Sequence, residues 1–228
     1  MEKGAFVVID GIDGSGKATQ ARLLSERLAR EGHAVEKIDF PRYGTPLFGE
    51  FLGECLAGKH GDFLHLDPKI ASTLYALDRF EASPAILEWR AAGKVVIADR
   101  FASSNQIHQG GKIVDQGKRD AFLEWIDQME HEVLTVPRPD AVVYLRVPVE
   151  TSLALLSKER EQKNQALEGE TQDTVEKDRM YLERSFESAE RLSAHPSWHR
   201  IECVEGGALR SPQDIHEDVY KAVASLLV

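Results

Sequence analysis

Cysteine is scarce in this chain, with two in 228 residues, Cys55 and Cys203. They are too few and too far apart for a disulfide framework or a metal-ligand spacing, and they read as buried thiols in a reducing compartment. No uninterrupted apolar run approaches the roughly 20 residues that cross a bilayer, so no membrane is expected as a partner. Basic charge is also short. Lys and Arg total 28 against 38 Asp and Glu, a net charge of −10. That balance disfavours the basic face used by nucleic-acid and anionic-membrane binders, so no nucleic acid is expected either. The chain enters a strand directly after Met1-Glu2-Lys3-Gly4, without a signal-peptide pattern, and a cytoplasmic location is the expectation. Internal repeats and low-complexity blocks are missing too.

The remaining composition, 42% hydrophobic and 29% charged, fits one globular domain over 1–228. Its apolar segments alternate in type. Ala5 to Asp10 is a short apolar run ending in glycines, as a buried parallel strand does. Thr19 to Glu31 has helical spacing, with Leu23, Leu24 and Leu28 on one face and Gly32 as a stop. Further strands are expected at 34–40, 94–98, 141–146 and 199–204. Further helices are expected at 66–92, 122–134, 151–161, 174–192 and 213–228, with Pro84 kinking or splitting the first of these. This order predicts an α/β fold, a parallel five-stranded sheet with helices on both faces. Ligands in such sheets bind at the carboxyl ends of the strands.

Directly after the first strand stands Gly11-Ile12-Asp13-Gly14-Ser15-Gly16-Lys17-Ala18-Thr19. The pattern G-x-x-x-x-G-K between a strand and a helix is a phosphate loop. Glycines let the backbone curl so that several N–H groups point inward, and the helix N-terminus adds partial positive charge. Lys17 supplies a point charge for the β- and γ-phosphates of a nucleotide. Ala18 stands where such loops usually carry a Ser or Thr hydroxyl for Mg²⁺. Adenylate kinases have glycine at that place. Ala18 therefore argues against switch-type GTPases more than against phosphoryl transfer, and no Asn-Lys-x-Asp guanine-reading motif is found. After the third strand comes Asp99-Arg100-Phe101-Ala102-Ser103-Ser104-Asn105, with His108 further on. A carboxylate there can orient a metal-bound water, and an arginine can neutralise phosphate charge.

With these blocks the chain resembles the thymidylate kinase family. Gly11 to Lys17 followed by Ala18-Thr19-Gln20 is similar to its loop. Phe40-Pro41-Arg42-Tyr43, Leu74 to Glu81 (with Tyr75, Asp78 and Arg79) and Asp99-Arg100-Phe101 with Ser104, Asn105 and His108 are similar to its later motifs. The resemblance implies a P-loop NTPase-type fold with a helical lid at about 157–175, and ATP-dependent phosphorylation of dTMP to dTDP with Mg²⁺. It implies that Asp13 bonds the acceptor's 3′-hydroxyl, that Arg42 and Arg100 clamp its phosphate, and that Tyr75 stacks on thymine. Arg79, one turn on from Tyr75, would reach O4. Ser104 and Asn105 would line the acceptor site, with Asn105 at the base edge, and His108 would stand near C2′ of the sugar. Asp99 would hold Mg²⁺ through water. A homodimer is implied as well. Phe101 replaces the usual tyrosine, and Arg42 sits one place early for one form of its motif.

Some family members carry an arginine inside the phosphate loop, and here that place is Gly14. Transition-state charge must then be met elsewhere. Arg160 is the leading lid candidate, with Lys158 and Lys163 beside it on the ATP. Interleaved glutamates leave open a plain solvated helix pair. Two other readings stay open. One changes the acceptor to another deoxynucleotide or a free deoxynucleoside. The other makes the chain an inactive nucleotide-binding regulatory module.

Overall fold

The computed structural model describes residues 3–44, 47–166 and 179–227, with backbone alone for 160–166. Five parallel strands form one sheet in the order β2-β3-β1-β4-β5. They are β1 (Phe6–Asp10), β2 (Val35–Asp39), β3 (Val95–Asp99), β4 (Ala141–Arg146) and β5 (Trp198–Glu202). β1 is buried over its whole length. Its period of two sends Val7 and Ile9 to one face and Phe6 and Val8 to the other. On the first face they meet Ala21, Leu24 and Leu28 of α1 (Lys17–Arg30) and Ile215 and Val219 of α8 (Pro212–Val223). On the second face they meet Ala82 and Ile86 of α3 (Pro68–Ala91), with Phe40 and Phe101. The expected parallel sheet with helices on both faces is what the chain forms.

Strand register fixes the site. Ile9 pairs with Asp99 across β1 and β3, and the Arg100 N–H donates to the Ile9 carbonyl at 3.0 Å. The phosphate loop after β1 and the Asp99-Arg100 step after β3 therefore leave the sheet side by side.

α3 differs from expectation. It runs unbroken for 24 residues with Pro84 inside it. Proline there forfeits a backbone bond and crowds the preceding turn, at a cost of about 3 kcal/mol. Ala71, Ala76, Ala82 and Ile86 are buried on both sides of the proline and hold the helix to the core. At its start, Asp67 caps the Lys69 N–H at 2.8 Å and Pro68 opens the first turn. The expected helix at 122–134 begins earlier, as α5 (Gln116–Asp127), because Asp115 caps the Lys118 N–H. It passes into a π-helical turn, Gln128–Val133.

Two helices and a hairpin were not legible in the sequence. They are α2 (Phe48–Leu56), α4 (Ala102–Gly111), and β6 (Val204–Glu205) paired antiparallel with β7 (Ala208–Leu209). Phe101, which cannot donate a hydroxyl, is fully buried and packs edge-on against Phe6 (5.0 Å) and Phe40 (5.2 Å). α6 (Val149–Ala166) and α7 (Arg179–Leu192) border the segment expected to form the lid. Residues 167–175 of that segment, with the side chains of Arg160 and Lys163, lie outside the described residues.

Candidate active site

The phosphate loop curls through left-handed backbone at Gly14 (φ 73°) and Gly16 (φ 86°), and Gly16 caps α1. Lys17 folds back into the loop. Its Nζ donates to the carbonyls of Ile12 (2.8 Å) and Gly11 (3.1 Å). Burial pulls its pKa down to about 8, and the Arg100 charge adds to that. An arriving polyphosphate would replace those carbonyls and favour the charged amine. Asp10, wholly buried at the tip of β1, accepts from the Gly11 N–H (2.9 Å), Ser103 Oγ (2.5 Å) and Ser104 Oγ (2.9 Å). These bonds tie the start of α4 to the root of the loop. Ser104, expected on the acceptor, thus spends its hydroxyl on Asp10.

Arg100 is one of three non-glycine residues among those described with positive φ, at 66°. Such backbone costs about 1–3 kcal/mol and persists where its surroundings enforce it. Here the Ile9 carbonyl and Asp13 do so, the Arg100 guanidinium forming an ion pair with the Asp13 carboxylate. Burial opposes the charge of Asp13, yet the surrounding positive charge and donors, led by Arg100 and with Lys17 among them, together outweigh it and hold the carboxyl well below its usual range. The second Arg100 contact is to His108 Nε2, at 3.0 Å. Arginine only donates, so Nε2 accepts, and Nδ1–H faces Ser185 Oγ at 3.2 Å. His108 is therefore neutral, and burial brings its pKa down to about 4. Its ring stacks on Tyr181 of α7, with centroids 5.7 Å apart.

From Asp13 and Gly14 a cavity of about 1570 Å³ opens past Arg100, Ser104, His108 and Tyr181. It reaches Tyr75, Arg79 and Asn105, then Phe63 and Lys112. A pocket for one small molecule typically measures about 300–1,000 Å³. Tyr75 meets the edge of Phe63 at 5.6 Å. Arg79, 3% exposed, makes two 2.7 Å bonds to Glu130, which also accepts from Asn105. Arg42 lies apart. It holds Asp78 through its backbone N–H and Nε, both at 2.9 Å, and reaches Glu81 at 3.1 Å. It is not among the residues lining the cavity. Lys158 is exposed on α6.

Four residues that sequence reasoning did not single out for a role belong to this arrangement. Tyr181 lines the cavity, Glu130 pairs with Arg79, and Asp78 holds Arg42. Ser152 Oγ donates to the Asp13 carbonyl, which places α6 over the phosphate loop. Only Asp78 stood within a recognised motif. The others are brought in by chain segments far from those motifs.

The chemistry of the donor set bears on a divalent cation. Among the described residues no cluster of three or more metal-ligating side chains occurs. Asp10 is already occupied by three donors. Asp99 is flanked by Lys17 and Arg100, and burial raises its pKa. It makes no side-chain hydrogen bond among the described residues, so its oxygens are open to a hydrated ion. One carboxylate plus phosphate oxygens suits Mg²⁺, which keeps most of its waters.

Known proteins give a concordant picture. A family model for thymidylate kinase matches residues 9–205. A thymidylate kinase of Pelotomaculum thermopropionicum is 30% identical over 228 residues, covering 99% of this chain and 95% of that protein. One from Mycobacterium tuberculosis is 34% identical over 145 residues, 64% of this chain and 67% of that protein. The human thymidylate kinase is 30% identical over 145 residues, 64% and 62% of the two chains. The matched span runs from the tip of β1 through both strand-end motifs and on past β5. With a phosphate-loop motif, an adjoining arginine and the cavity beside them all inside that span, the chain belongs to the thymidylate kinase family.

Proposed function

We propose that this chain transfers the γ-phosphoryl group of ATP to the 5′-phosphate of thymidylate, giving ADP and thymidine diphosphate. One observation carries the reading. Two anion-directed groups, the loop with Lys17 and the Arg100 guanidinium, leave adjacent strand tips. The cavity beside them is lined by Tyr75, Arg79 and Asn105.

Phosphoryl transfer asks little covalent chemistry of the protein. It needs two phosphates held close and in line, and compensation for the charge between them. The amides from Gly11 to Thr19 and Lys17 hold the donor. Arg100 shifts part of its pairing from Asp13 to the acceptor phosphate, which frees Asp13 for the 3′-hydroxyl. Neutral His108, fixed by Ser185 and Tyr181, walls the sugar. Tyr75 stacks on the base, while Arg79 and Asn105 meet its edge. Arg42 reaches the phosphate only by sharing itself with Asp78 and Glu81. When bound, Mg²⁺ neutralises donor phosphate charge, and Asp99 would hold it through water. The segment at 157–175, with Lys158, Arg160 and Lys163, closes over ATP and excludes water.

The same reading covers the wider setting. Residues 1–228 act as one kinase domain in the cytoplasm. Among the described residues no helix is long and apolar enough to cross a membrane. Phe80 and Leu87, each 45% exposed and seven residues apart on α3, supply an apolar stripe for a homodimer. Sedimentation analysis at micromolar concentration checks that. The function itself is tested by ADP release across a panel of monophosphates and free nucleosides with ATP and Mg²⁺. Strong preference for dTMP is expected. Preference for a free nucleoside, or ATP binding without transfer to any acceptor, would overturn the assignment.

A further inference from the structure

Glu130 lies outside every recognised motif, yet two side chains at the base end of the cavity depend on it. It sits in the π-helical turn after α5, 1% exposed. Its Oε2 accepts from Arg79 Nε at 2.7 Å. Its Oε1 accepts from Arg79 Nη2 at 2.7 Å and from Asn105 Nδ2 at 3.0 Å. Asn105 Nδ2 also donates to the Ser72 carbonyl, at 3.2 Å.

Carboxylate and carbonyl oxygens only accept. The Asn105 amide therefore has one permitted orientation, with NH₂ toward Glu130 and Ser72 and Oδ1 turned away. Arg79 is fixed likewise, its Nε and Nη2 taken and its Nη1 left over. Neither Asn105 Oδ1 nor Arg79 Nη1 has a hydrogen-bond partner among the described residues, and both residues line the cavity near Tyr75. An acceptor and a donor thus stand together at the base end. A 4-keto pyrimidine offers the complement, an N3–H donor and an O4 acceptor. A 4-amino pyrimidine offers the reverse, a bare N3 and an amino group at C4, and would leave both protein groups mispaired.

We infer that Glu130 is a positioning residue that sets the donor–acceptor polarity of the base chamber, and that it thereby selects 4-keto over 4-amino pyrimidine monophosphates. The inference rests on the thymidylate kinase reading above.

The test compares kcat/KM for dTMP and dCMP in the wild type and in Glu130→Gln. A glutamine at 130 must point its own NH₂ at Arg79 or Asn105, donor against donor. The expected result is at least a tenfold loss on dTMP, with dCMP changed far less, so that the preference ratio falls by about tenfold or more. Equal losses on both substrates would make Glu130 a mere structural prop and overturn the inference. A wild type without preference between dTMP and dCMP would instead sink the parent reading. A second measurement needs no folded variant at 130. The chain has two asparagines, Asn105 and Asn164. Selective ¹⁵N labelling of asparagine amides, assigned by the signal lost in Asn105→Ala, should show the Asn105 NH₂ protected from exchange in the wild type. Exchange at the free-amide rate would overturn the locked orientation.

Discussion

Gly14 offers the sharpest test of how the phosphate loop is built. A Cβ placed there would lie 2.9 Å from Leu156 Cγ and 2.9 Å from the Ser152 carbonyl oxygen, both on α6. The φ of 73° adds left-handed strain for any L residue. That strain costs about 1–2 kcal/mol. Overlap with a packed neighbour adds about 1–3 kcal/mol, toward the upper end when the neighbour is backbone. Gly14→Ala should therefore destabilise by about 3 kcal/mol, a fall in Tm of roughly 6–12 °C for a chain of this size. Gly16 is the internal control. Its φ is 86°, but a Cβ there meets nothing within 4 Å. Gly16→Ala should cost the strain alone, about 1 kcal/mol and roughly 2–4 °C. Its methyl would project into the space before the loop, so its penalty should appear in the KM for ATP. Calorimetry or denaturant unfolding of both variants, with ATP titrations, separates the two effects. A Gly14→Ala variant no less stable than Gly16→Ala would refute the placement of α6 over the loop. The same overlap would meet the Cβ of an arginine at position 14.

Other consequences are open to direct measurement. Burial lowers the folded-state pKa of His108 from 6.5 to about 4, so between those values the unfolded chain binds more protons. Stability should then decline as pH falls from 6.5 toward 4, by on the order of 2–3 kcal/mol from this residue. His108→Gln should flatten the slope of unfolding free energy in that window relative to wild type, and an unchanged slope would refute a buried neutral histidine. His216, also lowered by burial, stays in both proteins and cancels in the comparison. Arg42→Ala leaves Asp78, 1% exposed, with a buried charge stripped of its guanidinium. A loss of about 3 kcal/mol is expected in chemical denaturation, whatever happens to the KM for dTMP. Arg160→Ala should lower kcat well beyond threefold if the lid supplies the transition-state cation, and a kcat within about threefold of wild type would reject that role.

The sequence alone determined what depends on neighbours along the chain. A loop of nine consecutive residues between an apolar strand and an amphipathic helix carries the amides and lysine of a phosphate-loop motif within itself, so the motif is legible without any distant contact. Strand and helix order followed from periods of two and 3.6, and with them the parallel sheet. Contacts between distant segments were hidden. α4 escaped notice because its buried face is polar, with Ser103, Asn105, His108 and Gln109, so it shows no apolar stripe to read. Pro84 favours a break locally, and packing of Ala82 and Ile86 on either side of it overrides that preference. Only the tertiary structure decided that Arg100 faces Asp13 from 87 residues away and that Arg79 meets Glu130 across 51. Strand register and helix packing set those pairs. A buried charge must find its counter-charge in space, and the chain carries no local mark of where that partner will be.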